Sequence, residues 1–196
     1  MPETTYIRAG RGLSLFLLLA GVLGALASGE LTRDRIASLA DPAFRPSCTI
    51  NSVISCGDIM TAWQSNVVLG VPNMLFGIAG FSALAALGLA LCTGVGLPRR
   101  LWLLLQAAVT AAFGFVVWLI SQCLYVIGAL CPWCMLVWAV VIPLFWYVTV
   151  HTLRTGVLPA PRGLSRISYR YAWLGPVLMY GVLAVLILSR FGDRLW

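Results

Sequence analysis

Five long apolar runs constrain this chain more than any other feature of its sequence. They cover about residues 12–29, 72–92, 101–125, 131–150 and 171–189. A helix needs about 20 mostly apolar residues to cross the hydrocarbon core of a bilayer. The chain is 61% hydrophobic and only 10% charged, whereas a soluble domain is about half apolar and about a quarter charged. The sequence therefore predicts an all-α integral membrane protein with five transmembrane helices.

The first run, residues 12–29, allows two interpretations. A basic start with Arg8 and Arg11, an apolar segment and small residues near its end are also typical of a secretory signal peptide. The apolar segment is, however, longer than the roughly 7–15 residues of a signal-peptide core. We therefore expect a retained helix and a single membrane domain over all 196 residues.

The arginines predict how the helices are oriented. Five helices place the termini on opposite sides of the membrane. If the N-terminus is cytoplasmic, that side carries eight arginines and one acidic residue, Glu3, while the other side carries five arginines and five acidic residues. The eight are Arg8, Arg11, Arg99, Arg100, Arg154, Arg162, Arg166 and Arg170. Because excess arginine marks the cytoplasmic side, we expect a cytoplasmic N-terminus and an extracytoplasmic C-terminus. The net charge of +7 is then explained by the orientation of the helices in the membrane, and it does not predict nucleic-acid binding.

Four of the six cysteines fall on the extracytoplasmic side of this topology. Cys48 and Cys56 lie in the polar loop before the second run, and Cys131 and Cys134 form a Cys-Pro-Trp-Cys motif at the start of the fourth. Disulfides form and persist on this side of a membrane. Pro132 suits the first position of a helix, so Cys131 becomes its N-cap. Free N–H groups and the helix dipole there favour thiolates.

The two cysteine pairs predict an electron relay. The loop of residues 30–71 contains Pro42 and Pro46, which leave its pair mobile, whereas the second pair is fixed at a helix end. A mobile pair and a fixed pair can pass electrons by thiol–disulfide exchange. The other two cysteines, Cys92 and Cys123, lie in apolar surroundings and are predicted to be buried, inert thiols.

Two other functions remain open. Four cysteines can bind zinc, as in a metal-binding membrane transporter, although few charged residues lie within the apolar runs, and ion pathways usually need them. A structural membrane protein stapled by two static disulfides is the other alternative. The short spacing of Cys131 and Cys134 argues against it, because closing so small a loop contributes little stability.

Three sequence blocks resemble vitamin K epoxide reductase and its bacterial homologues in both order and spacing. They are Cys48–Cys56 (CTINSVISC), Val71–Gly77 (VPNMLFG) and Cys131–Cys134 (CPWC). The resemblance implies a four-helix transmembrane bundle around a quinone pocket, with a fifth, peripheral helix. It also implies a quinone-dependent thiol oxidoreductase. In that family pattern Cys48 exchanges with a reduced thioredoxin-like, DsbA-like partner, Cys56 exchanges with Cys131, and Cys134 faces the quinone.

The resemblance also implies residues that hold the quinone. Asn73 matches the family asparagine that hydrogen-bonds a quinone carbonyl, although it is also placed to cap its helix. Trp138 stands where some members have a tyrosine, and an indole N–H can donate but cannot act as a phenol would. Thr61 is the nearest match to the Ser or Thr that usually follows the second loop cysteine. Candidate aromatic walls of the pocket are Trp63, Phe76, Phe113, Trp133 and Trp138.

The remaining expectations concern the acceptor, the partner and the location. The acceptor is expected to be a membrane quinone, menaquinone or ubiquinone, and no metal is expected. Some homologues carry a fused thioredoxin-like domain, whereas this chain ends at Trp196. The resemblance therefore implies a separate partner and a role in disulfide bond formation in exported proteins, at the cytoplasmic membrane of a bacterium.

Overall fold

The architecture is a bundle of long helices, seen in a computed structural model that describes residues 6–41, 43–159 and 171–195. Within these residues five helices are long and apolar enough to cross a membrane. They are α1 (Arg11–Ala40), α3 (Asn73–Cys92), α4 (Arg99–Gln122), α5 (Pro132–Arg154) and α6 (Leu174–Leu195). The chain is an all-helical, multi-pass integral membrane protein, as predicted. Arg162, Arg166 and Arg170 of the predicted cytoplasmic loop lie outside the described residues.

Short elements complete the fold between these helices. A six-residue helix, α2 (Cys56–Thr61), and a 3₁₀ turn (Trp63–Asn66) lie between α1 and α3. A π-helical turn (Cys123–Ile127) follows α4. At the opposite end of the bundle, β1 (Tyr6–Ile7) pairs antiparallel with β2 (Leu97–Pro98).

The first helix is longer than the sequence predicts. Its apolar run ends near residue 29, yet α1 continues without a break to Ala40. Thr32 lies inside this continuous helix, where its Oγ1 donates to the carbonyl oxygen of Ser28 at 2.8 Å. Glu30 and Arg33 form an ion pair of 2.9 Å across one turn. The helix therefore carries polar residues beyond the apolar run and alongside the cysteine loop.

Four helices form the bundle, and the closest contact is between α1 and α3. Small residues at this contact let the backbones approach, as is common between membrane helices. A Cβ atom at Gly88 of α3 would lie 2.7 Å from Leu18 Cα of α1. The helix α5 packs against both α1 and α4, and Leu17, Trp102 and Val148 are fully buried among the three.

The fifth long helix, α6, is peripheral, which confirms the expected arrangement of four helices plus one. It contacts α5, where Trp146 lies against Gly175. The Tyr180 hydroxyl donates to the carbonyl oxygen of Ala139. Most of its apolar side chains stay exposed on the protein surface, which is the expected state of a helix that faces lipid.

Candidate redox site

The loop cysteines are joined in a disulfide. Cys48 and Cys56 have Cα atoms 5.7 Å apart. Cys56 is the first residue of α2, and Ser55 caps this helix by accepting a hydrogen bond from the Asp58 backbone N–H at 3.3 Å. Cys56 is fully buried, whereas Cys48 is only half-buried. Of the two sulfur atoms, that of Cys48 is therefore the more accessible from outside.

The Cys-Pro-Trp-Cys pair begins α5 as the sequence predicts. Cys131 is the N-cap in an extended conformation, and Pro132 occupies the first helical turn. Both Cys131 and Cys134 are thiols in this structure. Cys131 is fully buried and Cys134 is half-buried. This pair is therefore reduced while the loop pair is oxidised.

The two pairs touch through Cys56 and Cys131. Their Sγ atoms lie 3.1 Å apart. Cys56 belongs to the loop disulfide, whereas Cys131 supplies the free sulfur of this contact. Atoms held about 3–3.5 Å apart are within reach of a near-attack geometry. The contact therefore places one thiol against the one disulfide sulfur with which it can exchange.

A backbone clamp produces this contact. The Ser55 N–H donates to the carbonyl of Leu130 at 2.9 Å, and the Leu130 N–H donates to the carbonyl of Val53 at 2.7 Å. The side-chain oxygen of Asn51 accepts from the N–H groups of Val53 and Ile54, which holds this part of the loop in shape. Because a redox cysteine follows directly after Ser55 and after Leu130, the clamp brings Cys56 and Cys131 together.

The connection before Leu130 turns the chain sharply at the end of α4. Cys123 begins the π-helical turn, and its carbonyl oxygen accepts from the Gly128 N–H at 3.0 Å. Gly128 has a φ of 72°, a left-handed conformation that glycine adopts without steric cost. The Leu124 carbonyl, freed within the turn, accepts from Arg190 Nε of α6 at 3.1 Å. These contacts fix the segment that presents Cys131.

The electrostatics of Cys131 favour its thiolate. A hydrogen bond from the Cys134 thiol lowers the pKa of Cys131, and backbone N–H groups of Cys134 and Trp133 act in the same direction. Burial and the carboxylate of Asp34 oppose this effect, but the pKa stays below its ordinary value. The predicted activation at the helix start therefore applies to Cys131.

Asn73 lies where its amide faces the 3₁₀ turn of the loop. It is the first residue of α3, and its Nδ2 donates to the backbone carbonyl of Gln64 at 2.6 Å. The side chain of Gln64 is itself buried and donates to Gln122 Oε1 at 3.3 Å. The Oδ1 atom of Asn73 is buried and has no hydrogen-bond partner among the described residues. The side chain makes no helix cap, and its oxygen is left as an unused acceptor.

The other residues predicted to bind quinone lie in different surroundings. Trp138 is buried in a cluster with Cys123 and Leu124, against which Cys134 packs. Phe76 is 46% exposed on α3. Thr61 is exposed, and its hydroxyl donates to the carbonyl oxygen of Gly57 at 2.9 Å. The structure thus brings Trp138 close to the reduced cysteine pair, and the roles of Trp138, Phe76 and Thr61 in quinone binding stay predictions.

The remaining aromatic candidates are spread around the site. Trp63 is 66% exposed and packs edge-on against Trp118. Phe113 stacks on Phe145 with ring centroids 4.4 Å apart. Trp133 borders a cleft of about 360 Å³. The cleft is lined by Ser47, Cys48, Pro132, Trp133 and Leu136. It therefore leads to the accessible sulfur of the loop disulfide.

Of the two remaining cysteines, one is buried and one is not. Cys123 is 3% exposed, as predicted. Cys92 is exposed at the last position of α3, so the prediction that it is buried was wrong. The apolar residues around Cys92 in the sequence belong to a helix whose side chains mostly face outward, and burial does not follow from them.

Sequence reasoning also missed a buried carboxylate beside the site. Asp34 is 3% exposed, and its Oδ2 lies 3.9 Å from Cys48 Sγ. The available signal was the helical spacing of Ala27, Leu31 and Asp34, all on the buried face of α1. Because α1 was expected to end near residue 29, Asp34 was not expected to lie on its buried face.

Together the helices and the cysteine pairs define an integral membrane protein with two cysteine pairs in contact at one end of its bundle. Residues 15–149, more than half of the chain, match the vitamin K epoxide reductase family. The chain belongs to this family. No curated protein matches it in a sequence comparison. Members of the family are oxidoreductases, and membership implies a quinone as the electron acceptor. In the part of the chain that is described, no group of three or more His, Cys, Asp or Glu side chains is arranged to hold a metal ion.

Proposed function

We propose that this chain passes electrons from a thioredoxin-like, DsbA-like protein to a membrane quinone through its two cysteine pairs. The observation that carries this proposal is the 3.1 Å separation of Cys56 Sγ and Cys131 Sγ. A disulfide in the loop and a reduced pair on α5 touch through one sulfur of each. The arrangement supports disulfide exchange between the pairs within a single chain.

Electrons enter at Cys48 in this proposal. Its half-buried sulfur borders the cleft beside Pro132 and Trp133, whereas Cys56 is fully buried. A thiolate of the reduced partner attacks Cys48, the bond to Cys56 breaks, and Cys56 leaves as a thiolate. The second thiol of the partner then releases Cys48, and the partner departs with a disulfide.

Transfer between the pairs follows from the contact of Cys56 and Cys131. The Cys56 thiolate attacks Cys131 of the oxidised α5 pair, and Cys134 leaves as a thiolate. Cys48 then attacks Cys56, which restores the loop disulfide and frees Cys131. The products are an oxidised loop pair and a reduced α5 pair, which is the combination of redox states seen in the structure.

A quinone fits the residues proposed to hold it. The buried Oδ1 of Asn73 is an acceptor without a partner in the described chain, and a quinol hydroxyl is a matching donor. Trp138 supplies a buried apolar face in the cluster that contacts Cys134, and Phe76 and Thr61 remain further candidates. When bound, the quinone takes up two electrons and two protons. The reduced pair of Cys131 and Cys134 supplies the two electrons as its disulfide reforms, and the protons come from water.

The orientation proposed from the arginines places this chemistry outside the cytoplasm. Arg11, Arg99 and Arg154 lie at helix ends opposite to the two cysteine pairs, since they begin α1, begin α4 and end α5. Excess arginine marks the cytoplasmic side. We therefore place the two cysteine pairs on the extracytoplasmic face of a bacterial cytoplasmic membrane, where the relay supports disulfide formation in exported proteins.

A structural role for the cysteines makes a different prediction. Two static disulfides would require Cys131 and Cys134 to be joined, and they would resist reduction. In the structure this pair is open, and Cys131 lies against the other disulfide. A measured redox potential well below about −300 mV for Cys131 and Cys134 would instead support the static role.

The experiment that tests the proposal is quinone reduction by the purified protein without oxygen. A reduced thioredoxin-like protein is the electron donor, and menaquinone and ubiquinone are compared as acceptors. We expect quinol to form only with the donor and with Cys134 intact. Cys92→Ala is the matched control, because Cys92 lies at the far end of α3. No quinol with either acceptor from the folded, reduced protein would contradict the proposal.

A further inference from the structure

Asp34 is a buried carboxylate that the relay described above does not use. It lies on the same face of α1 as Leu31, which packs in one cluster with Cys56 and Cys131. The side chain of Asp34 is only 4% exposed, and its ion pair with Arg33 is long, at 3.8 Å. The Arg33 side chain is 71% exposed, so solvent screens that pair. A carboxylate is costly to bury with so little compensation.

The contact between Asp34 and Cys48 changes with the redox state of the loop. Cys48 Sγ lies 3.9 Å from Asp34 Oδ2. In the disulfide, this sulfur carries no proton and cannot donate. After reduction, the Cys48 thiol can donate a hydrogen bond to the carboxylate, whereas a Cys48 thiolate would face a like charge. A nearby negative charge disfavours an ionised thiol.

We propose that Asp34 assigns the proton of the reduced loop pair to Cys48 and leaves Cys56 as the thiolate. Both loop sulfurs are chemically able to attack Cys131, but only Cys56 is placed against it. By keeping Cys48 protonated, Asp34 makes the correctly placed sulfur the nucleophile. It is a catalytic residue in this sense, since it contacts a reacting sulfur atom.

The protons and electrons balance through the exchange. The Cys56 thiolate attacks Cys131, the bond between Cys131 and Cys134 breaks, and Cys134 takes the electron pair as a thiolate. The Cys48 thiol then passes its proton to the Asp34 carboxylate and attacks Cys56. The bond between Cys56 and Cys131 breaks, and Cys131 leaves as a thiolate. The electrons come from the thioredoxin-like dithiol, so this use of Asp34 rests on the proposed function.

The other charged side chains of α1, the loop and α2 are exposed or half-buried, and Arg35 of α1 is among the half-buried ones. On α1, Arg33 and Glu30 pair with each other at 2.9 Å. In the loop Arg45 is exposed, and on α2 Asp58 is exposed. From α5 the ionisable neighbour is Cys131, which contacts Cys56, while the α5 side chains that line the cleft beside Cys48 are uncharged. Asp34 is therefore the charged group expected to dominate the titration of Cys48.

The test is the pH dependence of Cys48 alkylation in the reduced, full-length protein. Iodoacetamide reacts with the thiolate, and mass spectrometry of peptides reads Cys48 separately from the other cysteines. We expect Asp34→Asn to move the midpoint of Cys48 labelling to lower pH by about one unit or more. Asp34→Glu, which keeps the charge, should retain the wild-type midpoint. An unchanged or higher midpoint in Asp34→Asn would overturn the proposal.

Two further variants keep the test decisive. Asp58→Asn removes one negative charge from an exposed position in the same region, and it should leave the Cys48 midpoint in place. Arg33→Gln changes a mostly exposed side chain, so it should fold even if Asp34→Asn does not. Because solvent screens the long pair of Arg33 with Asp34, loss of Arg33 should leave the midpoint in place or raise it, and a midpoint that falls would count against Asp34.

The alkylation result is independent of the quinone and of the partner. A failed quinone assay with a shifted Cys48 midpoint would leave the proton assignment standing and reject the relay. Quinone reduction together with an unshifted Cys48 midpoint would support the relay and reject the role of Asp34.

Discussion

The backbone N–H of Ser55 donates to the carbonyl oxygen of Leu130 at 2.9 Å, and a redox cysteine follows directly after each of these residues. The contact between Cys56 and Cys131 is thus set by backbone pairing as well as by side-chain packing. A loop fixed at this point can keep its inner sulfur in place while Cys48, eight residues away in sequence, exchanges with a partner.

Asn51 should matter for transfer between the pairs although it touches no sulfur. Its side chain accepts two backbone hydrogen bonds in the clamp, and each is worth about 0.5–1.5 kcal/mol. We expect Asn51→Ala to slow the transfer of electrons from Cys56 to Cys131 by about tenfold. Stopped-flow mixing of reduced donor with oxidised protein measures this rate. Ser52→Ala, at the next exposed position, should retain it, and an unaffected rate in Asn51→Ala would show that the clamp is dispensable.

Asn73 should contribute to quinone binding through its amide, because Nδ2 carries a second N–H besides the one donated to Gln64 and can donate it to a quinone carbonyl. We expect Asn73→Ala to raise the KM for quinone by about five- to tenfold, the effect of one lost hydrogen bond. Steady-state kinetics over a range of quinone concentrations measures it. Asn66→Ala, the same change at the end of the preceding 3₁₀ turn, is the control. Equal KM values for the Asn73 variant and the wild type would remove Asn73 from the binding site.

Gly88 should be required for the close approach of α1 and α3. A Cβ atom there would meet the α1 backbone at Leu18, and overpacking of this kind costs about 1–3 kcal/mol. We therefore expect Gly88→Ala to lower the Tm in detergent by several degrees. At Gly114 of α4 a Cβ atom would meet no other atom within 4 Å, so Gly114→Ala should be neutral or slightly stabilising. A Gly88 variant as stable as the wild type would mean that the two helices are packed less tightly.

The pH dependence of Cys131 should follow its hydrogen bond from Cys134. Since this bond lowers the pKa of Cys131, the thiolate forms at lower pH than in an ordinary thiol and persists above it. In a Cys48→Ser, Cys56→Ser background, ultraviolet absorbance of thiolates measures the titration. Cys134→Ser keeps a donor, whereas Cys134→Ala removes it and should move the titration of Cys131 to higher pH. The same midpoint in both variants would show that the hydrogen bond does not set the pKa.

Much of the fold could be predicted because its determinants are local. An apolar run of about 20 residues predicts a membrane helix by itself, and Pro132 after Cys131 predicts the start of α5. The end of α1 could not be found in this way. Hydropathy falls after residue 29, but Glu30, Leu31 and Arg33 are good helix formers, and no proline interrupts the helix before Ala40.

The site was less predictable, because its contacts join distant parts of the chain. The four cysteines were found from their types and spacing, and the family resemblance implied the pairing of Cys56 with Cys131. The clamp between Ser55 and Leu130 depends on backbone atoms, which carry no sequence signal. The burial of Asp34 could not be predicted for the same reason as the end of α1. Only a helix that continues past residue 29 places Asp34 on the buried face.

The most direct test of the relay is the disulfide that forms when Cys134 is removed. In Cys134→Ala protein, Cys131 has no partner on α5 and lies 3.1 Å from Cys56. We expect mass spectrometry of non-reduced peptides to find a Cys56–Cys131 mixed disulfide, together with loss of quinone reduction. A different pairing of Cys131, or quinone reduction as fast as in the wild type, would contradict the relay.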